Sequence, residues 1–219
     1  LVDAYAQWID TLEQGRPSAP LVPEALKSTA EGLVERCRLC LDRIRDGLRL
    51  LDEENEAAEN ARNAFRLANH AMLIAQIRTS SHVRTPEQIE NNRFRWEPAI
   101  SNPEPAIPDP QRGYWRPFQI AFLLMSLRGI CDPEHADRET VDLIWFPTGG
   151  GKTEAYLGLT AYTIFYNQLS GRVSGGVDVL MRYTLRLLTA QQFQRAALLF
   201  CAMEYLRRRD SKLGTKPFR

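Results

Sequence analysis

The stretch Val-Asp-Leu-Ile-Trp-Phe-Pro-Thr-Gly-Gly-Gly-Lys-Thr, residues 141–153, decides which fold the sequence predicts. Its apolar run at 143–146 is typical of a short buried strand. Pro147 ends that strand, because proline has no N–H group to donate to a sheet. Three glycines, a lysine and a threonine follow, and residues 154–168 then favour a helix. A strand, a glycine turn and a helix in this order predict a phosphate-binding loop.

The predicted loop brings together groups that bind phosphate. Glycines allow several backbone N–H groups to point at one anion, and the helix N-terminus adds its partial positive charge. We expect Lys152 to reach the β- and γ-phosphates of a nucleoside triphosphate, and the Thr153 hydroxyl to bind Mg²⁺. The other residues expected around the phosphates are Thr148, Gly149, Gly150, Gly151 and Glu154. The alternative is a glycine turn that only joins a strand to a helix.

The loop departs from the strict pattern G-x-x-x-x-G-K-[ST], because Phe146 occupies the first glycine position. Residues 147–153 instead resemble motif I of superfamily-2 helicases, in which proline and threonine precede the glycines. Upstream, Arg-Pro-Phe-Gln at 116–119 resembles the Q-motif region of the same superfamily. There a glutamine reads the edge of adenine and an aromatic side chain stacks on the ring, which implies that Gln119 and Phe118 contact ATP. A helix start with a buried aromatic residue is the alternative.

A second strand is predicted at 177–181, so that strand, helix and strand form a βαβ unit with a right-handed crossover. Residues 182–192 then lead into a helix that continues to about Arg208. Their position resembles motif Ia of superfamily-2 helicases, which contacts a nucleic-acid backbone, although Tyr183 stands where that motif has proline. A charged surface leading into the helix is the alternative. The residues expected to contact DNA are Arg182, Tyr183, Thr184, Arg186, Thr189 and Gln192.

The chain before the loop is predicted to be helical. Apolar residues step by three or four along 26–51, which is the spacing of an amphipathic helix. The acidic stretch at 52–55 is the break before a second stripe, and it leaves open a helical hairpin or one long bent helix ending near Ser80. The second stripe consists of small residues, Ala57, Ala61, Ala64, Ala68, Ala71 and Ala75.

Composition and charge restrict the class of protein. The 219 residues hold 28 Lys and Arg against 27 Asp and Glu, so no general positive field indicates nucleic acid. Four cysteines are too few and too scattered for a disulfide framework. No apolar run approaches the ~20 residues of a membrane span, and the first residues lack the pattern of a signal peptide. We therefore expect a soluble, cytoplasmic protein without membrane contact.

These patterns together predict an α/β fold in three parts. An N-terminal α-helical domain is expected at residues 1–97, and a proline-rich linker at 98–112. Residues 113–219 are expected to form the first part of a RecA-like P-loop NTPase lobe with parallel strands.

Two longer stretches carry a more specific resemblance. They are Trp-Phe-Pro-Thr-Gly-Gly-Gly-Lys-Thr-Glu-Ala-Tyr-Leu-Gly at 145–158 and Met-Arg-Tyr-Thr-Leu-Arg-Leu-Leu-Thr-Ala-Gln-Gln-Phe-Gln-Arg-Ala at 181–196. Both are similar to the DrmA family, the helicases of DISARM anti-phage defence systems, and residues 64–76 are similar to the N-terminal region of that family. The resemblance implies the N-terminal fragment of a DNA-dependent ATPase that works with a protein partner called DrmB. It also implies that the later carboxylates and the arginine finger lie elsewhere, so this fragment should hold ATP and Mg²⁺ but hydrolyse ATP poorly.

Two other functions stay open from the sequence. A P-loop ATPase that remodels proteins and contacts no nucleic acid would carry the same loop. A nucleotide-binding scaffold, which is not an enzyme, could instead dock a partner through its helical half. An acidic motif and arginine motifs downstream of Arg219 would favour the helicase.

Overall fold

The computed structural model describes residues 1–14, 22–79, 85–89, 93–97, 113–147, 149–172, 176–182 and 186–218. The α-helices in these residues are α1 (Val2–Glu13), α2 (Lys27–Asp52), α3 (Glu56–Thr79), α4 (Pro117–Cys131), α5 (Lys152–Leu169) and α6 (Arg186–Arg207). Short 3₁₀ turns occur at Glu24–Leu26, Ala136–Glu139 and Ser211–Leu213, and two strands are β1 (Thr85–Ile89) and β2 (Arg93–Glu97). Among the described helices, none is both long enough and apolar enough to cross a bilayer.

The helices predicted before the loop are confirmed as two separate helices, α2 and α3. The predicted break therefore lies where one helix ends and the next begins. The Asn55 side chain caps α3 by accepting a hydrogen bond of 2.8 Å from the Ala58 N–H. Arg62 of α3 also holds the end of α2, because its guanidinium donates to the carbonyls of Leu51 at 3.0 Å and Glu53 at 2.6 Å.

The core forms where the alanine face of α3 packs against α5 and α6. Small side chains let these helices approach closely, and α5 supplies large buried aromatic residues to the same core. The inward-facing alanines of α3 are Ala58, Ala61, Ala64, Ala68, Ala71 and Ala75. The prediction is wrong only at the first position, since Ala57 is exposed. One core thus joins helices that lie before and after the predicted linker.

An ion-pair network ties α2 to the segment that leads into the glycine loop. Arg43 donates to the two carboxylate oxygens of Asp142 at 2.6 and 2.8 Å, and to Asp137 at 2.9 Å. Next along α2, Asp46 accepts from Arg128 of α4 at 3.2 Å. The paired side chains are largely shielded from water, so salt screens them less than surface pairs. Residue 142 is thereby held on α2.

A two-stranded antiparallel ribbon follows α3. Thr85 lies opposite Glu97 and Ile89 opposite Arg93. The ribbon falls inside the residues predicted as a helical domain, so the sequence analysis missed it. The predicted linker at 98–112 lies outside the described residues.

The predicted α/β fold class is wrong. Residues 143–146 and 177–181, predicted as parallel strands, do not have strand conformation. The sheet formed by the described residues is the antiparallel ribbon, and no RecA-like lobe with parallel strands is present in them. The physical reason is that a strand satisfies its N–H and C=O groups only through a neighbouring strand. Within the described ranges no strand lies beside either segment.

Candidate functional site

The glycine loop leads directly into α5, as the sequence predicts. Gly151 is the N-cap of the helix and has a φ of +90°, a left-handed conformation that favours glycine. At Gly150 a side chain would overlap the ring of Phe146. The first backbone N–H groups of α5, from Lys152 onward, have no partner inside the helix. These N–H groups and the positive end of the helix dipole favour an anion.

The Lys152 side chain folds back over the loop. Its ammonium donates to the carbonyl oxygens of Phe146 and, at 3.2 Å, of Pro147. A phosphate oxygen is a stronger acceptor than a neutral carbonyl, because charge-assisted hydrogen bonds are shorter and stronger. The neighbouring Thr153 carries a hydroxyl oxygen, and Mg²⁺ prefers oxygen ligands. The residues present therefore fit a Mg²⁺–triphosphate group.

A cavity of about 1130 Å³ lies over the loop and the start of α5. We call it the loop cavity; its walls come from α3, residues 113–119, the loop with the first turn of α5, and α6. Its described lining includes the cations Arg116, Lys152 and Arg195 against one carboxylate, Glu154. This excess of positive charge favours an anionic ligand. Small-molecule pockets usually measure about 300–1,000 Å³, so the loop cavity has room for a nucleoside as well as phosphates.

Gln119 and Phe118, predicted to contact the base of ATP, are both engaged with the chain itself. The Gln119 side chain is only 4% exposed. Its Oε1 accepts from the Arg116 backbone N–H at 2.8 Å, and its Nε2 donates to the Gly151 carbonyl at 2.7 Å. Phe118 stacks on Phe146 with ring centroids 4.1 Å apart. Gln119 therefore fastens the loop to the start of α4, and its contact with adenine stays a prediction.

Arg116 makes a second connection between the glycine loop and the start of α4. Its guanidinium donates to the carbonyl of Gly150 at 2.8 Å. Together with the Gln119 bond to Gly151, this contact fixes two successive loop carbonyls from one short segment. The segment at 116–119 thus positions the loop, which is a role that the sequence analysis did not predict.

The residues predicted to contact DNA are divided by the structure. Gln192 lines the loop cavity together with Lys152, whereas Arg182 is exposed and lines a separate groove along α5. Arg186 and Thr189 lie near the start of α6, where only the backbone is described. The remaining predicted site residues, Thr148, Tyr183 and Thr184, lie outside the described residues.

The sequence analysis missed the contribution of α3 to the loop cavity. Asn69 accepts a hydrogen bond of 2.5 Å from the Trp115 indole N–H, which holds α3 against the segment before α4. His70 and Gln76 also line the cavity. A signal was present in the sequence, because Asn69 and Gln76 lie seven residues apart, on one side of the helix, with only apolar residues at 71–75 before Gln76.

Arg195 was also missed. This α6 residue forms an ion pair with Glu154 in the first turn of α5, so it connects α6 to the loop cavity. Burial lowers the pKa of the Arg195 guanidinium from its usual range. Arginine titrates so far above neutrality that the group remains charged. Arg195 therefore adds a permanent positive charge to the lining of the loop cavity.

Comparison with known proteins finds one informative relative and no protein-family model that matches the chain. The chain is 36% identical over 225 aligned residues, covering all of it, to the DISARM protein DrmA of Bacillus paralicheniformis. It spans 18% of the length of that protein, which fits a fragment of a longer protein. The resemblance to DrmA carried by residues 145–158 and 181–196 is thereby confirmed.

Proposed function

We propose that this chain is the ATP-binding part of a superfamily-2 DNA helicase or translocase that acts in DISARM anti-phage defence. The observation that carries the proposal is a glycine loop opening α5 with Lys152 beneath a cavity rich in cations. The 36% identity to a DISARM protein supports the defence role. The resemblance of residues 147–153 to helicase motif I supports the class of enzyme.

Each loop residue has a definite role in this proposal. Lys152 gives up its bonds to the loop carbonyls and pairs with phosphate oxygens, while the free N–H groups of α5 bind the same anion. The Thr153 hydroxyl is the protein ligand for Mg²⁺, an ion that neutralises phosphate charge when bound. Gln119 keeps Gly151 in place, so that the N–H groups stay aligned before the ligand arrives.

DNA and a second protein belong to the same proposal. Arg182 is exposed at the end of the 176–182 segment and can pair with a phosphate of the nucleic-acid backbone. The resemblance to DrmA also implies a protein partner, DrmB.

The decisive experiment compares ATP binding and ATPase activity of the intact protein with its Lys152→Ala variant. We expect ATP affinity to fall at least ~30-fold, because the charged contact to the phosphates is lost. The melting temperature should stay the same, since the lysine donates to loop carbonyls at the surface and its removal leaves no buried unpaired group. Lys212→Ala, at an exposed position, is the matched control. Equal ATP affinity in both variants would contradict the phosphate-loop assignment.

A second arm of this experiment tests DNA. The ATPase rate of the intact protein should rise with single- or double-stranded DNA. Arg182→Glu should reduce that stimulation and flatten the salt dependence of DNA binding, which follows the number of neutralised phosphates. Arg208→Glu, at an arginine with 73% side-chain exposure, is the matched control. An ATPase rate that does not change when DNA is added would contradict the helicase part of the proposal but not the ATP-binding part.

A further inference from the structure

One arginine in the lining of the loop cavity comes from a helix that is distant in sequence from the glycine loop. Arg195 lies in α6, and its Nη2 group donates to Oε1 of Glu154 in the first turn of α5. Both side chains border the loop cavity, and they are 33% and 35% exposed. The ion pair is therefore partly shielded from bulk water but within reach of a ligand that enters the cavity.

The bond to Glu154 uses only part of the hydrogen-bonding capacity of Arg195. A guanidinium carries five N–H donors in a planar fork that matches the oxygens of carboxylates and phosphates. Among the described residues, Arg195 makes its one hydrogen bond through Nη2, which leaves Nε and Nη1 for a second acceptor. Since arginine stays charged at neutral pH, an anion is the acceptor that these donors bind most strongly.

Glu154 has a different relation to phosphate. The sequence analysis places this residue around the phosphates, yet a carboxylate and a phosphate repel each other. The helix dipole favours the Glu154 charge at the N-terminus of α5, where it also favours a bound anion. A triphosphate carries more negative charge than one carboxylate, so it competes with Glu154 both for this helix end and for Arg195.

We propose that Arg195 is a further phosphate-binding residue of the loop cavity, and that Glu154 is the counter-ion that it exchanges for the triphosphate. This inference rests on the proposed function, because it adds a residue to the same ATP site. On binding, the guanidinium turns from the Glu154 carboxylate to phosphate oxygens. Helix α6 also carries the predicted DNA contacts Arg186 and Thr189, so the exchange connects that helix to the phosphates of ATP.

The first test measures equilibrium binding of ATP and of inorganic tripolyphosphate to the intact protein and its Arg195→Gln variant. We expect both affinities to fall about tenfold, the effect of losing a charged hydrogen-bonded contact that is partly open to water. Arg208→Gln is the matched control, because it breaks an ion pair with Glu204 at an arginine outside the described lining of the cavity. This control should change neither affinity.

Glu154→Gln separates phosphate binding by Arg195 from a purely structural link between α5 and α6. The substitution breaks the same ion pair but releases the guanidinium, so tripolyphosphate affinity should rise about two- to fivefold. The gain should largely disappear when Arg195→Gln is added, because no guanidinium is then released. A gain of the same size in the double variant would overturn the exchange of counter-ions.

The remaining outcomes are decided with Lys152→Ala measured in parallel. Equal losses for Arg195→Gln and Glu154→Gln would show a structural link only and overturn the inference, as would an Arg195→Gln variant that binds tripolyphosphate like the parent. If Arg195→Gln does not fold, a Glu154→Gln variant whose affinity fails to rise overturns it instead. If the parent protein binds neither ligand, or Lys152→Ala binds both unchanged, the proposed function itself fails.

Discussion

Two regions rich in apolar residues differ in burial. One is the alanine face of α3, and the other is the pair of segments at 141–147 and 176–182. Ala61 and Ala64 are completely buried against neighbouring helices, whereas Val141 and Trp145 are more than 90% exposed. Sequence hydrophobicity therefore does not decide burial by itself. A helix satisfies its own backbone hydrogen bonds and needs only a partner surface, while an extended segment first needs a neighbouring strand.

The largest effect is expected at the tightest helix crossing. Gly47 of α2 lies so close to α4 that a Cβ atom would overlap the carbonyl of Leu124, which belongs to the backbone and cannot rotate away. Gly47→Ala should therefore separate the two helices and lower the free energy of unfolding by about 3 kcal/mol. Urea unfolding monitored by circular dichroism measures this change.

Gly32, on the same helix, supplies the matched control. No atom lies within 4 Å of the place where its Cβ would be. Gly32→Ala should therefore raise the free energy of unfolding by about 0.5–1 kcal/mol, because alanine is the better helix former. If both substitutions stabilise the protein, α2 and α4 are not packed as closely in solution as the structure shows.

An intermediate effect is expected where the start of α4 contacts the glycine loop. Gln119→Ala removes the bond to the Gly151 carbonyl and frees the loop from the start of α4. We expect affinities for ATP and for tripolyphosphate to fall together, by about tenfold. Gln191→Ala should leave both unchanged. A loss confined to ATP would instead place the Gln119 amide on adenine, as the sequence analysis predicts.

The smallest effect is expected in the exposed segment at 141–147. Leu143 and Trp145 are 82% and 91% exposed, so replacing both with serine should change the free energy of unfolding by less than ~0.5 kcal/mol. Leu127→Ser is the contrasting variant, because this completely buried leucine of α4 should cost about 2–5 kcal/mol. Similar losses for both variants, measured by denaturant unfolding, would show that the segment is covered in solution.

The helices were predictable because each depends on local information. The three- and four-residue spacing along 26–51, the acidic break at 52–55 and the alanine stripe all agree with α2 and α3. The start of α5 after three glycines was predictable for the same reason, since a turn and a helix N-terminus are formed by consecutive residues. The parallel strands were predicted wrongly, because pairing depends on residues far apart in the chain.

Within the candidate site, Lys152, Thr153 and the glycines were identifiable from their order alone. The role of Gln119 as an anchor was not, because both groups that its amide contacts are backbone atoms, which carry no sequence signal. Helix α3 was interpreted only as packing, although Asn69 holds it against Trp115 at the edge of the loop cavity. Such contacts join positions 46 residues apart and are set by how the helices cross.

The amino-acid sequence by itself determined the helices, the break between α2 and α3, and the glycine turn that opens α5, since each follows from side-chain periodicity or backbone freedom over a few residues. The tertiary structure alone decided that α3 and α6 form walls of the loop cavity, that the Gln119 amide holds the Gly151 carbonyl, and that Leu143 and Trp145 lie exposed. Burial and hydrogen-bond pairing of this kind depend on which distant surfaces meet, and close packing permits only a few such arrangements.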